Sequence, residues 1–105
     1  HPALGAVWEQ IVLSQLKSRY RQADFAFYRS AGGAEIDIVM SLKGVVIAIE
    51  CKATRSPSLT RGNYAAIADI KPLKTFVVTP VEKGWSMAPA VQVVSLGELV
   101  TQING

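Results

Sequence analysis

Four charged residues lie within a stretch that otherwise predicts two β-strands, AEIDIVMSLKGVVIAIECKA at residues 34–53. They are Glu35, Asp37, Glu50 and Lys52. Strand interiors disfavour acidic and lysine side chains, so charges at these positions need a physical reason. Carboxylates that converge can bind a divalent cation, and an adjacent ammonium group can stabilise negative charge that develops in a reaction.

The turn between the two strands determines which charged residues face each other. If Lys43–Gly44 forms a two-residue loop, Leu42 pairs with Val45, and counting back along both strands places Asp37 opposite Glu50. Because side chains alternate between the two faces of a strand, the same count makes two further predictions. These are Glu35 opposite Lys52, and a shared face for Ile36, Ile38 and Met40.

Like charges directly opposite each other across two strands are destabilising, so a facing Asp37 and Glu50 predict a cation between them. Lys52 supplies one positive charge. Magnesium suits the pair better, because Mg²⁺ prefers hard oxygen ligands, binds one or two carboxylates and keeps several waters. Zinc is disfavoured, because His1 is the only histidine in the sequence and Cys51 is predicted to point away from the carboxylates.

A second interpretation of these charges stays open at this point. A glutamate and a lysine on an edge strand commonly form a solvated salt bridge that contributes little to stability. The run VVIAIE at residues 45–50 is almost continuously apolar, however, which is typical of a central strand buried on both faces. A charge at the end of such a strand favours a cleft, but the sequence is compatible with both a site and a surface salt bridge.

Residue periodicity and turn residues predict the elements that must position these charges. Residues 3–22 predict a helix with Glu9 at the margin of its apolar face. That face comprises Leu4, Val7, Trp8, Ile11, Val12, Leu16 and Tyr20. The remaining predictions are strands at 25–29, 75–79 and 90–94, a helix at 60–71, a loop at 81–89, and a last helix begun by a Ser95–Glu98 capping box. The order is α-β-β-β-α-β, then an extra strand and a short helix.

Length and composition predict one globular domain over residues 1–105, and the order of predicted helices and strands makes it an α/β domain. The chain begins at His1 without a methionine, so we expect a fragment of a longer protein. No run of 18 or more apolar residues is present, which argues against a membrane span. The single Cys51 excludes an internal disulfide and favours a reducing, cytoplasmic location. A net charge of +3 with dispersed basic residues is weak evidence for nucleic-acid binding.

Glu9, Asp37 and the Glu50-Cys51-Lys52 run occur in the order and spacing of a known catalytic motif. The sequence resembles the PD-(D/E)XK nuclease superfamily, the restriction-endonuclease-like fold, whose α-β-β-β-α-β core has a central mixed sheet flanked by helices. More narrowly, ALGAVWEQIV, FYRSAGGAEIDIV and VVIAIECKAT resemble the nuclease-like C-terminal domain of predicted prokaryotic AAA-type ATPases. The chain departs from the motif at Ile36, where a proline commonly precedes the aspartate.

The resemblance implies a role for each motif residue. Asp37, Glu50 and the backbone carbonyl of Cys51 would bind Mg²⁺ or Mn²⁺, and Glu9 would reach the ion directly or through water. Lys52 would position or deprotonate the attacking water and stabilise charge at the phosphorus. The implied activity is hydrolysis of phosphodiester bonds in nucleic acid, with DNA favoured over RNA.

Other residues carry weaker expectations. Glu35 is expected to support Lys52, with simple exposure as the alternative. Arg55, Arg61 and Tyr64 are candidates for phosphate and base contacts, and for each a solvated surface position is the alternative.

The rival function is a non-catalytic accessory module that docks DNA or another subunit for an ATPase domain in the same full-length chain. Whether the chain forms a homo-oligomer stays open.

Overall fold

Three helices and six strands make up the computed structural model, which describes residues 2–104. In chain order they are α1 (Pro2–Arg19), β1 (Asp24–Arg29), β2 (Glu35–Leu42), β3 (Val45–Cys51), α2 (Arg61–Ile70), β4 (Lys74–Val78), β5 (Trp85–Ala88), β6 (Val91–Val94) and α3 (Leu96–Asn104). The strands form one mixed sheet in the order β1-β2-β3-β4-β6-β5. The predicted α/β fold class is confirmed.

The sheet separates two layers of helices. Val12 and Leu16 of α1 and Leu99 of α3 pack on one face of the sheet, against side chains that include Ile49. Ala66 of α2 packs on the other face, against side chains that include those of Ala34 and Ala48. Neighbouring residues of β3 thus contact opposite layers, as strand geometry requires. This central strand is buried on both faces, which its continuous apolar run indicated.

The β2–β3 hairpin has the predicted register. Leu42 pairs with Val45, and the antiparallel ladder continues to Ile38 and Ile49. The two loop residues both have positive φ, 52° at Lys43 and 79° at Gly44. A hairpin loop of two left-handed residues matches the twist of the strands that flank it, and glycine takes the second position without a steric cost. This register places Asp37 next to Glu50, as predicted.

A bulge in β2 overturns one part of the strand prediction. Ala26 pairs with Val39, but Tyr28 pairs with Ile36, so β2 uses one residue more than β1 between these two pairs. The extra residue reverses the alternation of side chains beyond it. Ile36 consequently packs in the layer of α2, whereas Ile38 packs in the layer of α1. The prediction that Ile36, Ile38 and Met40 share one face is wrong for Ile36.

The first helix is shorter and less buried than predicted. It ends at Arg19, and only part of the predicted apolar face contacts the sheet. Val12 and Leu16 are fully buried, whereas Leu4, Val7 and Ile11 are 57%, 55% and 43% exposed. The sheet and α3 cover one stripe of the helix surface and leave the adjacent stripe in solvent. Within residues 2–104, no helix combines the length and the apolar character needed to cross a membrane.

Strand β5 was predicted as part of a loop, and that prediction is wrong. Its four residues, WSMA, include no β-branched side chain, so the strand signal in the sequence is weak. The segment becomes a strand because it pairs with β6 at the edge of the sheet, through Trp85 with Val93 and Ser86 with Gln92. Long-range pairing therefore outweighs local preference in this segment.

Candidate active site at the end of the central hairpin

The strands β2 and β3 change their mode of pairing beyond Ile38 and Ile49, where their regular ladder ends. From here the carboxylates replace backbone carbonyls as acceptors. The backbone N–H of Asp37 donates to Oε1 of Glu50 at 3.0 Å, and the backbone N–H of Cys51 donates to Oδ2 of Asp37 at 2.9 Å. Each carboxylate thus binds the backbone of the opposite strand, which holds both in place with charge-assisted hydrogen bonds.

Glu50 is a buried acid, with only 4% of its surface exposed. The pKa of its carboxyl is raised to about 7, mainly because the group is buried and secondly because Asp37 repels its charged form. The Asp37 N–H and the Lys52 ammonium act in the opposite direction, and the Lys52 Nζ lies 3.1 Å from Oε2 of Glu50. Since these two donors do not restore the ordinary pKa, the ionised carboxylate is incompletely stabilised.

Glu9 of α1 approaches the same cluster from the helix layer and is half-buried. Burial raises the pKa of its carboxyl, and repulsion from Asp37 together with a shared hydrogen bond to Asp37 raises it further. Arg29 partly offsets this effect. Glu9 and Glu50 thus both interact with Asp37, from the helix side and from β3 respectively. The structure brings together three of the four acids that the sequence singled out, namely Glu9, Asp37 and Glu50.

The donor chemistry at Asp37 and Glu50 fits a hard divalent cation. Within residues 2–104, no three histidine, cysteine, aspartate or glutamate side chains are grouped closely enough to hold a metal ion by themselves. Mg²⁺ does not require such a group, because it commonly takes one or two carboxylates and completes its shell with water. Two adjacent carboxylates, one of them buried and unfavourable in its charged form, meet that requirement.

Cys51 acts through its backbone and not through its thiol. Its side chain is half-buried and packs against the core under α1. Burial, with added repulsion from Asp37, raises the pKa of the thiol far above its ordinary value. A protonated thiol is neither a nucleophile nor a metal ligand. The Cys51 side chain therefore contributes packing against the core.

The match to a family of sequences covers nearly the whole chain. The family described as "Domain of unknown function (DUF4143)" matches residues 4–99. The chain belongs to the DUF4143 family. All the residues of the carboxylate cluster lie inside the matched part of this DUF4143 domain.

Two curated relatives extend this similarity. An uncharacterized protein of Mycobacterium bovis and an uncharacterized protein of Mycobacterium tuberculosis are each 30% identical to the DUF4143 domain over 101 residues. The aligned part is 96% of this chain but 23% of each relative. The domain therefore spans about a quarter of the length of the relatives that it matches. No solved structure matches the chain.

Glu35 does not contact Lys52 as expected. Its Oε2 lies 3.4 Å from Nη1 of Arg29, on the neighbouring strand β1, and both side chains are exposed. Lys52 instead pairs with Glu50. Glu35 pairs with Arg29 in the β1–β2 register beyond the bulge. The exposed position that was the alternative for Glu35 is the one observed in the DUF4143 domain.

The three predicted nucleic-acid contacts lie on an exposed part of the domain. Arg55 is exposed in the segment between β3 and α2, Arg61 is the exposed first residue of α2, and Tyr64 is 48% exposed one turn later. Because α2 and α1 cover opposite faces of the sheet, Arg61 and Tyr64 are on the other side of the sheet from Glu9. The structure therefore does not bring Arg61 or Tyr64 to the Glu9 side of the carboxylate cluster.

A groove that the sequence did not predict adjoins the cluster. The groove has a volume of about 370 Å³ and lies between α1 and β1, with Asp37 in its wall. The charged and aromatic residues that line it are Glu9, Lys17, Phe25, Phe27, Arg29 and Asp37. The alternation of Phe25, Phe27 and Arg29 along β1 was the available signal, but only the packing of α1 beside this strand creates the groove.

Proposed function

We propose that this DUF4143 domain hydrolyses phosphodiester bonds of nucleic acid with the help of Mg²⁺ or Mn²⁺, and that DNA is its preferred substrate. One observation carries the proposal. Asp37, Glu50 and Lys52 converge at the ends of two strands, where one carboxylate is buried with a raised pKa and the lysine is its ion-pair partner. Their order along the chain is that of the PD-(D/E)XK motif that the sequence resembles.

The residues of the domain divide the proposed work between them. Asp37, Glu50 and the Cys51 carbonyl would hold the cation, which when bound lowers the pKa of water and neutralises charge at the phosphoryl group. Lys52 would orient the attacking water and stabilise the negative charge on the phosphoryl oxygens as the bond forms. Glu9 would anchor a water beside Asp37, because it interacts with Asp37 from the helix side.

The raised pKa of Glu50 gives the proposal a pH requirement. Cations bind carboxylates only in the ionised form, so metal binding must compete with protonation of Glu50 up to about pH 7. We therefore expect cleavage to increase from acidic to mildly alkaline pH. If Glu50 were an ordinary solvated glutamate, its ionisation would not change between about pH 6 and pH 8, because it would already be fully ionised there. Metal binding at Glu50 would then not depend on pH in this interval.

The deciding experiment is a cleavage assay on labelled DNA and RNA, single-stranded and duplex, with Mg²⁺ or Mn²⁺ and with EDTA. We expect metal-dependent products from the wild type. The Lys52→Ala variant should lose on the order of 100-fold in rate, because it removes a charge that stabilises the transition state. Lys74→Ala is the matched control, since Lys74 is an exposed lysine at the opposite end of the parallel strands and should retain the wild-type rate.

A non-catalytic role is the second candidate, and two observations favour it. The relatives are much longer than the domain, so a partner domain is available to them. The stripe of Leu4, Val7 and Ile11 on α1 is exposed and apolar. On this view the domain is an accessory or DNA-docking module of an AAA-type ATPase. Binding of nucleic acid without cleavage in any metal, unaffected by Lys52→Ala, would favour this role and contradict hydrolysis.

A further inference from the structure

We infer that the groove between α1 and β1 binds an unpaired segment of nucleic acid, with Phe27 stacked on a base and with Lys17 and Arg29 at phosphates. The inference rests on the proposed function, because the groove shares Glu9 and Asp37 with the candidate active site. It adds a substrate class to that function. The groove would hold the nucleotides next to the bond that is cut.

Phe27 is the first observation that supports a stacking site. Its side chain is 68% exposed, which is the largest exposure among the exposed large apolar residues of the described chain. It lies on β1, an edge strand of the sheet, and faces the groove together with Phe25. A lone exposed phenylalanine needs no explanation. Two aromatic residues in the wall of one groove, beside converging carboxylates, form a surface on which bases can stack.

Arg29 is the second observation, because its guanidinium lies over the Phe27 ring within cation–π distance. It lies 5.7 Å from the centroid of the Phe27 ring. Its ion pair with Glu35 is long and solvated, at 3.4 Å with 64% and 52% of the two side chains exposed. Such a pair contributes little energy, so a phosphate group can replace Glu35 at small cost. Arg29 is then positioned to contact both a base plane and the backbone.

Charge around the groove is complementary to a polyanion that ends at a metal site. Lys17 projects from the last turn of α1 and Arg29 from β1, so the two walls of the groove each carry a positive charge. The acids Glu9 and Asp37 are also in the wall, where the proposed cation would neutralise them. A strand lying in the groove would therefore meet basic groups along its length and the cation at the site of cleavage.

The dimensions and the aromatic lining favour a single strand over a duplex. A volume of about 370 Å³ is within the range of pockets that bind small ligands, and so suits a few nucleotides at most. Bases in a duplex are stacked on one another and cannot stack on Phe27 without being extruded, which costs energy. Unpaired bases present their faces freely, and grooves that combine basic and aromatic side chains bind single strands by stacking.

The test is fluorescence anisotropy with a labelled single-stranded DNA oligonucleotide and with the same sequence as a duplex, both made with phosphorothioate linkages that resist cleavage, in Mg²⁺ so that the acids in the groove wall are neutralised. We expect the wild type to bind the single strand more tightly. Phe27→Ala should weaken single-strand binding by about tenfold, as expected for the loss of one stacked base. Duplex binding should change less than twofold. Phe27→Trp should keep the wild-type affinity, because a larger ring restores stacking.

Leu73→Ala is the matched control, because Leu73 is an apolar residue of similar exposure, 65%, that is outside the groove. Thermal melts of all variants confirm that they fold. The inference is overturned if the wild type binds no single strand, if duplex and single strand bind equally, or if Phe27→Ala matches Leu73→Ala. These outcomes are separate from those of the cleavage assay, since stacking on Phe27 does not require hydrolysis, and hydrolysis of duplex DNA does not require stacking on Phe27.

Discussion

Two ion pairs on the same sheet join a glutamate to a basic residue, and they differ mainly in burial. Glu35 pairs with Arg29 at 3.4 Å with more than half of each side chain exposed. Glu50 pairs with Lys52 at 3.1 Å with 5% and 23% of the side chains exposed. Glu35 is surrounded by solvent and by the guanidinium of Arg29. Glu50 has a buried position and another carboxylate, that of Asp37, as an immediate neighbour.

The difference shows which charged residues of a sheet are candidates for function. A solvated pair can be exchanged with little effect, because water replaces either partner. The buried pair costs stability, because its lysine does not offset both desolvation and repulsion between the carboxylates. Clusters that destabilise the folded state are concentrated at binding and active sites. The proposed cation would offset this cost at Glu50 but has no place at Glu35.

The largest expected effect comes from removing the buried charge. The pKa of Glu50 rises from 4.5 to about 7 on folding, so the folded chain holds a proton that the unfolded chain releases between these pH values. The unfolding free energy of the wild type should therefore fall as pH rises through this window. Metal-free Glu50→Gln should match the wild type near pH 4 and exceed it by roughly 3 kcal/mol near pH 8.

Denaturant unfolding across this pH range measures the effect. The difference between wild type and Glu50→Gln reports the contribution of Glu50 together with its repulsion of Asp37, since the remaining acids titrate in both proteins. If the unfolding free energies of wild type and Glu50→Gln run parallel from acidic to alkaline pH, Glu50 behaves like the exposed Glu35 and its burial does not affect its ionisation.

A smaller effect is expected from metal binding. At a free Mn²⁺ concentration ten times its dissociation constant, a site present only in the folded state adds about 1.4 kcal/mol to the unfolding free energy. Wild type should show this gain above pH 7, and Glu50→Gln should gain far less because it lacks one carboxylate. Thermal melts over a Mn²⁺ titration measure both, and two flat curves would rule out the metal site.

The smallest effect is expected at the exposed pair. Glu35→Gln makes the same chemical change as Glu50→Gln but should alter the unfolding free energy by less than about 0.5 kcal/mol at any pH. Its small effect should decrease further in high salt, which screens exposed charges. Chemical unfolding at low and high ionic strength provides the measurement. A change as large as that of Glu50→Gln would mean that burial does not distinguish the two pairs.

Sequence patterns were sufficient wherever local interactions determine structure. The sequence predicted a loop of two or four residues around Lys43–Gly44, and the observed two-residue loop sets the register that places Asp37 beside Glu50. The Ser95–Glu98 capping box forms as predicted, with the Ser95 hydroxyl accepting from the Glu98 N–H at 3.1 Å. Turns and caps depend on a few neighbouring residues, so their signals are complete in the sequence.

Only the tertiary structure decided the features that depend on distant contacts. The bulge opposite β1 turned Ile36 toward α2, pairing with β6 made a strand of Trp85–Ala88, and Arg29 rather than Lys52 became the partner of Glu35. The raised pKa of Glu50 has the same origin, because its first cause is burial by the packed layers. The sequence by itself determined which charges lie at the end of the hairpin. Packing decided which of them are buried, and burial is what separates a candidate site from a surface salt bridge.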